Sequence, residues 1–394
     1  MQIYLDHNAG TPMRPAVREA LAEFLAREAG GNPASVHRAG QRARRELERA
    51  RDQIANLIGA PARSIIFTSG GTEANNLAID GAAHTSGRRQ IVTTAIEHSS
   101  VLAPLSELES RGFEVVRVTP NCDGLVDPDA LAQRIGAQTA LVTLGLANAE
   151  VGAIQAIAPI AAATRRAGAL LHLDAAQAAG RIPLAVDGLG CDLLTLSGHK
   201  LGGPTGIGAL YLRAGVALAP IMRGGPQESG LRAGTPNLLG AIGLGVAAQA
   251  VSEVLEEEAS RVAALSDELL RRLIASIPGL RLNGPRADRI QNTLNLTFPR
   301  VLGETMLIAL DLEGLEVSMG SACAAGAVEP SHVLLAMGRD AAAARSSLRI
   351  SLGWSTTRAE ISRVSEVIPR VWRRVVAAEP IAPVEVAALL GDAR

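Results

Sequence analysis

The sequence predicts an α/β fold: a large domain with a mostly parallel sheet between helices, followed by a smaller α/β domain. Short, nearly continuous apolar segments (64–68, 90–94, 140–144 and 169–173) alternate with stretches of helical periodicity. That is how a parallel sheet covered on both faces reads. The pattern changes after a long helical region, 237–277, which stops at Pro278-Gly279. At 394 residues the chain is also too long for one compact core, so two domains are the expectation.

Taken in order, the opening segment 3–11 runs into the turn-rich Asn8-Ala9-Gly10-Thr11-Pro12. Helical periodicity covers 14–27 and 35–58, a strand 64–68 and a helix 73–83. A strand at 90–94 and a helix at 99–109 follow, then strands at 113–118, 140–144 and 169–173 with helices between them. Beyond the long helix the expected order is strand 292–298, helix 304–312, strand 314–318, strand 347–352 and helix 358–375. The large domain is assigned to 14–252, and the small one to 1–13 and 253–394. The tail Glu379-Pro380-Ile381-Ala382-Pro383 reads as a loosely docked end.

Composition narrows the function classes. The chain is 47% hydrophobic but only 2% aromatic, so its core is built from Ala, Leu, Val and Ile. A net charge of −1 argues against a broad nucleic-acid surface. The densest basic run, 38–51, is interleaved with acids at helical spacing and reads as a solvated helix face. No apolar run is expected to reach the length of a membrane span, and no secretory signal is evident, so the cytoplasm is the expected compartment. Cys122, Cys191 and Cys323 lack metal-site spacing; Cys191 precedes an apolar strand and reads as a small buried hydrophobe.

The chain is organised around Ser197-Gly198-His199-Lys200, which lies between two apolar strands and opens a glycine-rich run. A lysine there is where a desolvated amine can act as nucleophile or base. Asp174 ends another apolar strand in His172-Leu173-Asp174-Ala175-Ala176-Gln177. Together they suggest pyridoxal phosphate (PLP), its aldehyde held by the amine and its pyridinium nitrogen paired with the carboxylate. Thr68-Ser69-Gly70-Gly71-Thr72-Glu73-Ala74-Asn75-Asn76, between strand and helix, suits a phosphate. An ordinary capped helix start would look the same, and Lys200 tips the balance.

Other positions stay open at this level. His98, at a strand-to-helix turn, reads equally as a capping residue or as a ring stacked on a pyridine face. Arg349, on a mostly apolar strand, needs a carboxylate, supplied by a substrate or by a structural salt bridge. Cys323 lies among small residues, a loop context in which a thiol could travel to a buried cofactor.

Together these motifs, joined by Gly320-Ser321-Ala322-Cys323 and Glu329-Pro330-Ser331-His332-Val333-Leu334, resemble the fold-type I, class V aminotransferases, and within them the cysteine desulfurases of the NifS/IscS kind. The resemblance spans nearly the whole chain. It implies that Lys200 holds PLP and shuttles the α-proton, Asp174 faces the ring nitrogen, Gln177 the phenolic oxygen, and His98 stacks on the ring. It further implies that Gly71, Thr72, Ser197 and His199 hold the phosphate, with Thr235 reaching across from the second subunit of a homodimer, and that Arg349 clamps the substrate carboxylate.

The activity implied is conversion of L-cysteine to L-alanine, the sulfur passing to Cys323 as a persulfide and then to an acceptor protein or thiol. Iron–sulfur cluster, tRNA or thio-cofactor synthesis would use it. A selenocysteine lyase, another class V aminotransferase or a weakly active sulfur-relay scaffold are the alternatives. One departure stands out: the family's usual second asparagine before Glu-Xaa-Gly is Ala149 here, in Ala147-Asn148-Ala149-Glu150-Val151-Gly152. Met319 also replaces a frequent serine.

Overall fold

The computed structural model describes residues 2–27, 31–319 and 329–378. Strand β1 (Ile3–Tyr4) and helices α1 (Pro15–Ala26) and α2 (Arg38–Leu57) precede the large sheet. There follow β2 (Ile65–Thr68), α3 (Gly71–Thr85), β3 (Gln90–Thr94), α4 (Ser99–Ser110), β4 (Glu114–Val118) and α5 (Pro128–Ala132). Next come β5 (Thr139–Gly145), α6 (Ile157–Ala167), β6 (Leu170–Asp174), α7 (Val186–Leu189), β7 (Leu193–Ser197) and β8 (Gly208–Leu212). The long α8 (Leu238–Ser276) leads to β9 (Arg281–Asn283), β10 (Thr293–Thr297), α9 (Gly303–Asp311), β11 (Leu315–Glu316), α10 (His332–Ala336), α11 (Ala341–Arg345), β12 (Ser347–Ser351) and α12 (Arg358–Ala378).

The large sheet has the order β2-β8-β7-β6-β5-β3-β4; β8 runs antiparallel to both its neighbours and the other pairs are parallel. The chain steps outward from β3 to β4, returns past β3 to β5, and then continues the other way to β6 and β7. Such a reversal opens a crevice at the carboxyl ends of the strands. A second sheet, β12-β10-β9, is antiparallel, and β1 pairs in parallel with β11.

The buried apolar residues form two main bodies. One covers both faces of the large sheet, and the other gathers Ile3 and Leu5 with β10, β12, α9 and α12. Helix α8 serves both, giving Leu244, Ala248 and Val251 to the first and Val262, Leu265 and Leu269 to the second. By length and hydropathy α8 could cross a membrane, contrary to the expectation that no segment would. Its apolar residues are spent instead on packing both bodies together, and half of its most apolar window is buried.

Three local expectations need correction. Helix α2 starts at Arg38 rather than Ser35, because the His37 side chain caps it by accepting from Gly40 N–H. The strand expected over 314–318 is only Leu315–Glu316, as long as its partner β1 allows. Strand β9 and helices α10 and α11 are too short to show a period in sequence, and they are fixed by tertiary bonds such as Asn283 Nδ2 to Asn295 Oδ1 at 2.9 Å.

Candidate active site

Of the expected site residues, Lys200, Asp174 and His98 lie at the carboxyl ends of β7, β6 and β3. Lys200 closes a single helical turn, Gly198–Lys200, directly after β7. Its Nζ donates to the carbonyl oxygens of Asn8 and Ala9, the latter at 2.8 Å. Burial, reinforced by the guanidinium groups of Arg181 and Arg349, lowers the ammonium to about 7; Asp6 and Asp174 pull the other way without offsetting it. The amine is therefore available unprotonated near neutral pH.

Asp174 is the last residue of β6. Its Oδ1 accepts from Ala176 N–H at 2.9 Å and its Oδ2 from Asn75 Nδ2 at 2.8 Å. The same Asn75 amide donates to Ser100 Oγ at 2.8 Å, and Ser100 Oγ lies 2.7 Å from His98 Nδ1. His98 caps α4, its Nδ1 accepting from Ser100 N–H, so its other nitrogen carries the proton. The capping reading of His98 is thus realised, and capping fixes the ring that the functional reading needs. Burial keeps the imidazole below its ordinary pKa.

Helix α3 begins at Gly71 on Gly70 with no side-chain cap, leaving the N–H groups of its first turn to another acceptor. A Cβ on Gly70 would stand in open space, whereas one on Gly71 would lie 3.3 Å from Ser197 Cβ. The geometry depends on Gly208, where an added Cβ would fall 2.6 Å from Gly70 carbonyl carbon. Glu73 ties this turn down by accepting from Ser69 N–H at 2.7 Å and pairing with Arg232 at 2.9 Å. Arg232 thereby anchors the segment before α8 to α3. Beside the turn, His199 is lowered to about 4 by burial and by Lys200, and is neutral.

Gln177 is buried, with Nε2 donating to Asn8 O at 3.0 Å and Oε1 accepting from Arg181. Arg349, 4% exposed, donates to Asp6 Oδ1 at 2.6 Å and to Ala149 O at 3.3 Å. The salt bridge read as the alternative for Arg349 is present, and the guanidinium still faces the Ala149 turn. Thr235 is exposed before α8, and among the described residues no hydrogen bond joins it to this cluster. Cys191 is 2% exposed and its thiol is pushed up to about 12 by burial, so it is inert.

Cys323 lies outside the described residues. The residues flanking 320–328 are anchored at the site from two sides. Ser318 exchanges backbone hydrogen bonds with Arg349 (3.1 and 2.6 Å). Ser331 Oγ donates to Glu150 Oε2 at 2.5 Å, and His332 Nε2 lies 3.0 Å from Glu97 O.

Sequence reasoning missed Asn75, Ser100, Arg181, Glu97 and Asn8. Asn75 and Asn8 stood inside motifs already singled out, but nothing local distinguishes a side chain aimed at Asp174 from one aimed at water. Glu97 is fully buried; its Oε2 accepts from Gly145 N–H at 2.6 Å, tying the loop after β3 to the end of β5. Burial raises its carboxyl to about 7 against the hydrogen bonds from Thr94 and Gly145.

A doubly wound sheet with a half-buried lysine and aspartate and an open helix N-terminus at its edge defines a class, and the chain belongs to the aminotransferase class-V family, whose model matches residues 3–364. Within that family its similarity is to cysteine desulfurases. It is 42% identical over 382 residues to cysteine desulfurase IscS of Dictyoglomus turgidum, covering 96% of each chain. Among solved structures, a NifS-like protein superposes with a TM-score of 0.89 at 34% identity, covering 95% of this chain and 100% of that one. SspA in complex with cysteine gives a TM-score of 0.80 at 34% identity, covering 90% and 99%.

Proposed function

We propose that the protein is a PLP-dependent cysteine desulfurase that takes sulfur from L-cysteine, releases L-alanine and passes the sulfur to an acceptor protein or thiol. The observation that carries this reading is the pairing of Lys200, an amine lowered to about 7, with Asp174, a carboxylate held on both oxygens at the end of β6. Similarity to cysteine desulfurases over almost the whole chain, and to a protein solved with cysteine, supports the substrate.

The residues present fit PLP. The uncapped turn at Gly71 and Thr72, with open space at Gly70, suits a phosphate, to which Ser197 and neutral His199 would add donors. Asp174 would pair with the ring nitrogen, Gln177 with the phenolic oxygen, and His98 would lie against the ring. When bound, PLP supplies an electron sink that makes an amino acid's α-proton acidic and its β-substituent a leaving group.

The chain's own groups then have defined tasks. Lys200 Nζ holds the cofactor and, unprotonated near pH 7, takes the α-proton and returns it. Arg349 orients the substrate carboxylate, with Asp6 and Ala149 O keeping its guanidinium in place. Cys323 Sγ takes the substrate sulfur: the substrate C–S bond breaks, an S–S bond forms, and the freed carbon is protonated to give alanine. Anchoring of Ser318 at Arg349 and of His332 at Glu97 puts both flanks of residues 320–328 beside those groups. A homodimer would bring exposed Thr235 to a neighbouring subunit's phosphate.

The test is to incubate the PLP-loaded protein with cysteine and a reductant and measure alanine and sulfide together. Equal amounts are expected. Cys323→Ser should stop sulfide release with PLP still bound, and Lys200→Ala should abolish the absorbance of covalently held PLP. Alanine made from an amino donor and a keto acid without sulfide would replace this reading by a transaminase.

A further inference from the structure

A cavity of about 370 Å³ is lined by Lys200 and Arg181 but by none of Asp174, His98, Gln177 and Arg349. The middle of α8, the turn after Gln177 and the Leu352–Trp354 segment enclose it. Its charges do not balance. Arg14, Arg181, Lys200 and Arg289 line it, and among the described lining residues Glu258 is the one carboxylate. Glu258 is already neutralised, since both its oxygens accept from Arg14 at 2.7 and 2.9 Å.

Arg181 has no carboxylate partner among the described residues; it donates to Gln177 O at 2.7 Å, to Gln177 Oε1 and to His7 O at 3.2 Å. Arg289, 4% exposed, has its Nη2 3.7 Å from Asp267 and its Nε without a hydrogen bond. Buried guanidinium groups with so little counter-charge leave a strongly positive potential in a recess walled by Val251, Val262, Leu352 and Trp354. Burial is the larger cause of the lowered pKa of Lys200, and the Arg181 guanidinium adds to it.

We propose that this cavity binds a small carboxylate with an apolar tail and no amino group. The guanidinium of Arg181 takes the carboxylate, the α8 and Trp354 walls take the tail, and an ammonium on the ligand would be repelled by the surrounding cations. Such a ligand adds negative charge next to Lys200, beyond that of Asp6 and Asp174, and so couples its own binding to the protonation of the catalytic amine. The site is separate from Arg349, and its occupancy is read without cysteine, so it stands or falls apart from the desulfurase reading.

The protein has two tryptophans; Trp354 lines the cavity, and Trp372, which does not line it, donates to Pro299 O at 3.0 Å. Titrating the PLP-loaded full chain with hexanoate should change its tryptophan fluorescence saturably, and Trp354→Phe should remove the signal. Hexylamine at the same concentrations should give none. Ala263→Phe, which fills the cavity from α8, and Arg181→Gln should each weaken hexanoate by about tenfold or more. Arg349→Gln should leave the affinity unchanged. The proposal is overturned by no saturable response, by an equal response to hexylamine, or by binding that survives Ala263→Phe. Loss in Arg349→Gln alone would likewise overturn it, by placing the probe at the substrate site.

Discussion

Asn75 Nδ2 stands 2.8 Å from Asp174 Oδ2, and through Ser100 the same amide is joined to His98. One side chain on α3 therefore orients the acid expected to face the cofactor nitrogen and the ring expected to stack on the cofactor. Helix α3 also supplies the open turn expected to take the phosphate, so three contacts expected of one ligand would share a rigid support.

Asn75→Ala should weaken PLP binding by about tenfold, the worth of one hydrogen bond to a charged group. Because Asp174 would lose the donor that holds its Oδ2, the pH titration of bound PLP absorbance should also shift. A purely structural role for Asn75 would lower the melting temperature and leave that titration curve where it is.

Lys200 has a folded-state pKa of about 7, against 10.5 for an ordinary lysine. Recombination of PLP with cofactor-free protein should therefore accelerate as pH rises through about 7, where the amine loses its proton. Stability follows with a definite sign. The unfolded chain binds the extra proton between these values, so burial of Lys200 penalises folding in full below pH 7 and ceases to do so above 10.5. Lys200→Met should stabilise the cofactor-free protein most at pH 6 and least at pH 10, which thermal melts at both values would check.

Glu97 runs the opposite way. Its folded pKa, raised to about 7 from 4.5, makes the folded state hold the proton longer, so its penalty grows as pH climbs from 4.5 to 7 and is complete above that. Glu97→Gln can keep both partners, with its oxygen on Gly145 N–H and its amide on Thr94 Oγ1. Its melting temperature should exceed that of the parent at pH 8 and match it near pH 5; a uniform loss at both would contradict the assignment.

Gly208→Ala should disturb the phosphate turn, since the new methyl falls 2.6 Å from Gly70 carbonyl carbon and 2.7 Å from Leu196 O, both backbone atoms that cannot swing aside. A loss of about 1–3 kcal/mol in stability is expected, with weaker PLP retention on dialysis. Gly70→Ala, pointing into open space, should cost less stability.

Ala149→Asn would add an amide donor beside Arg349, which donates to Ala149 O at 3.3 Å, and by the resemblance that donor would face the cofactor's phenolic oxygen. The parent should show the higher pKa for the bound PLP chromophore and the weaker cysteine binding of the two. Superimposable absorbance titrations would reject this.

Much of the fold was legible because hydrophobic period is a local property. The alternation from β2 to β7, the helix over 237–277 and the turn residues around Lys200 could be read directly, and the motifs with Lys200, Asp174, His98 and Gly71 indicated PLP chemistry. Short elements such as β9 were not legible, since three residues carry no measurable period and Asn283 is held by partners in β10 and β12.

The sequence by itself determined which chemical groups this protein possesses and the order of the elements that carry them. Only the tertiary structure decided what those groups are worth. Asn75 is 99 positions from Asp174, and Lys200 is 192 from the Asn8 carbonyl it donates to. Likewise the lowered pKa values of Lys200 and Arg181 arise from burial among groups brought together by folding. Desolvation and Coulomb interaction depend on distance in space and on the removal of water, and neither is written in the spacing of residues along the chain.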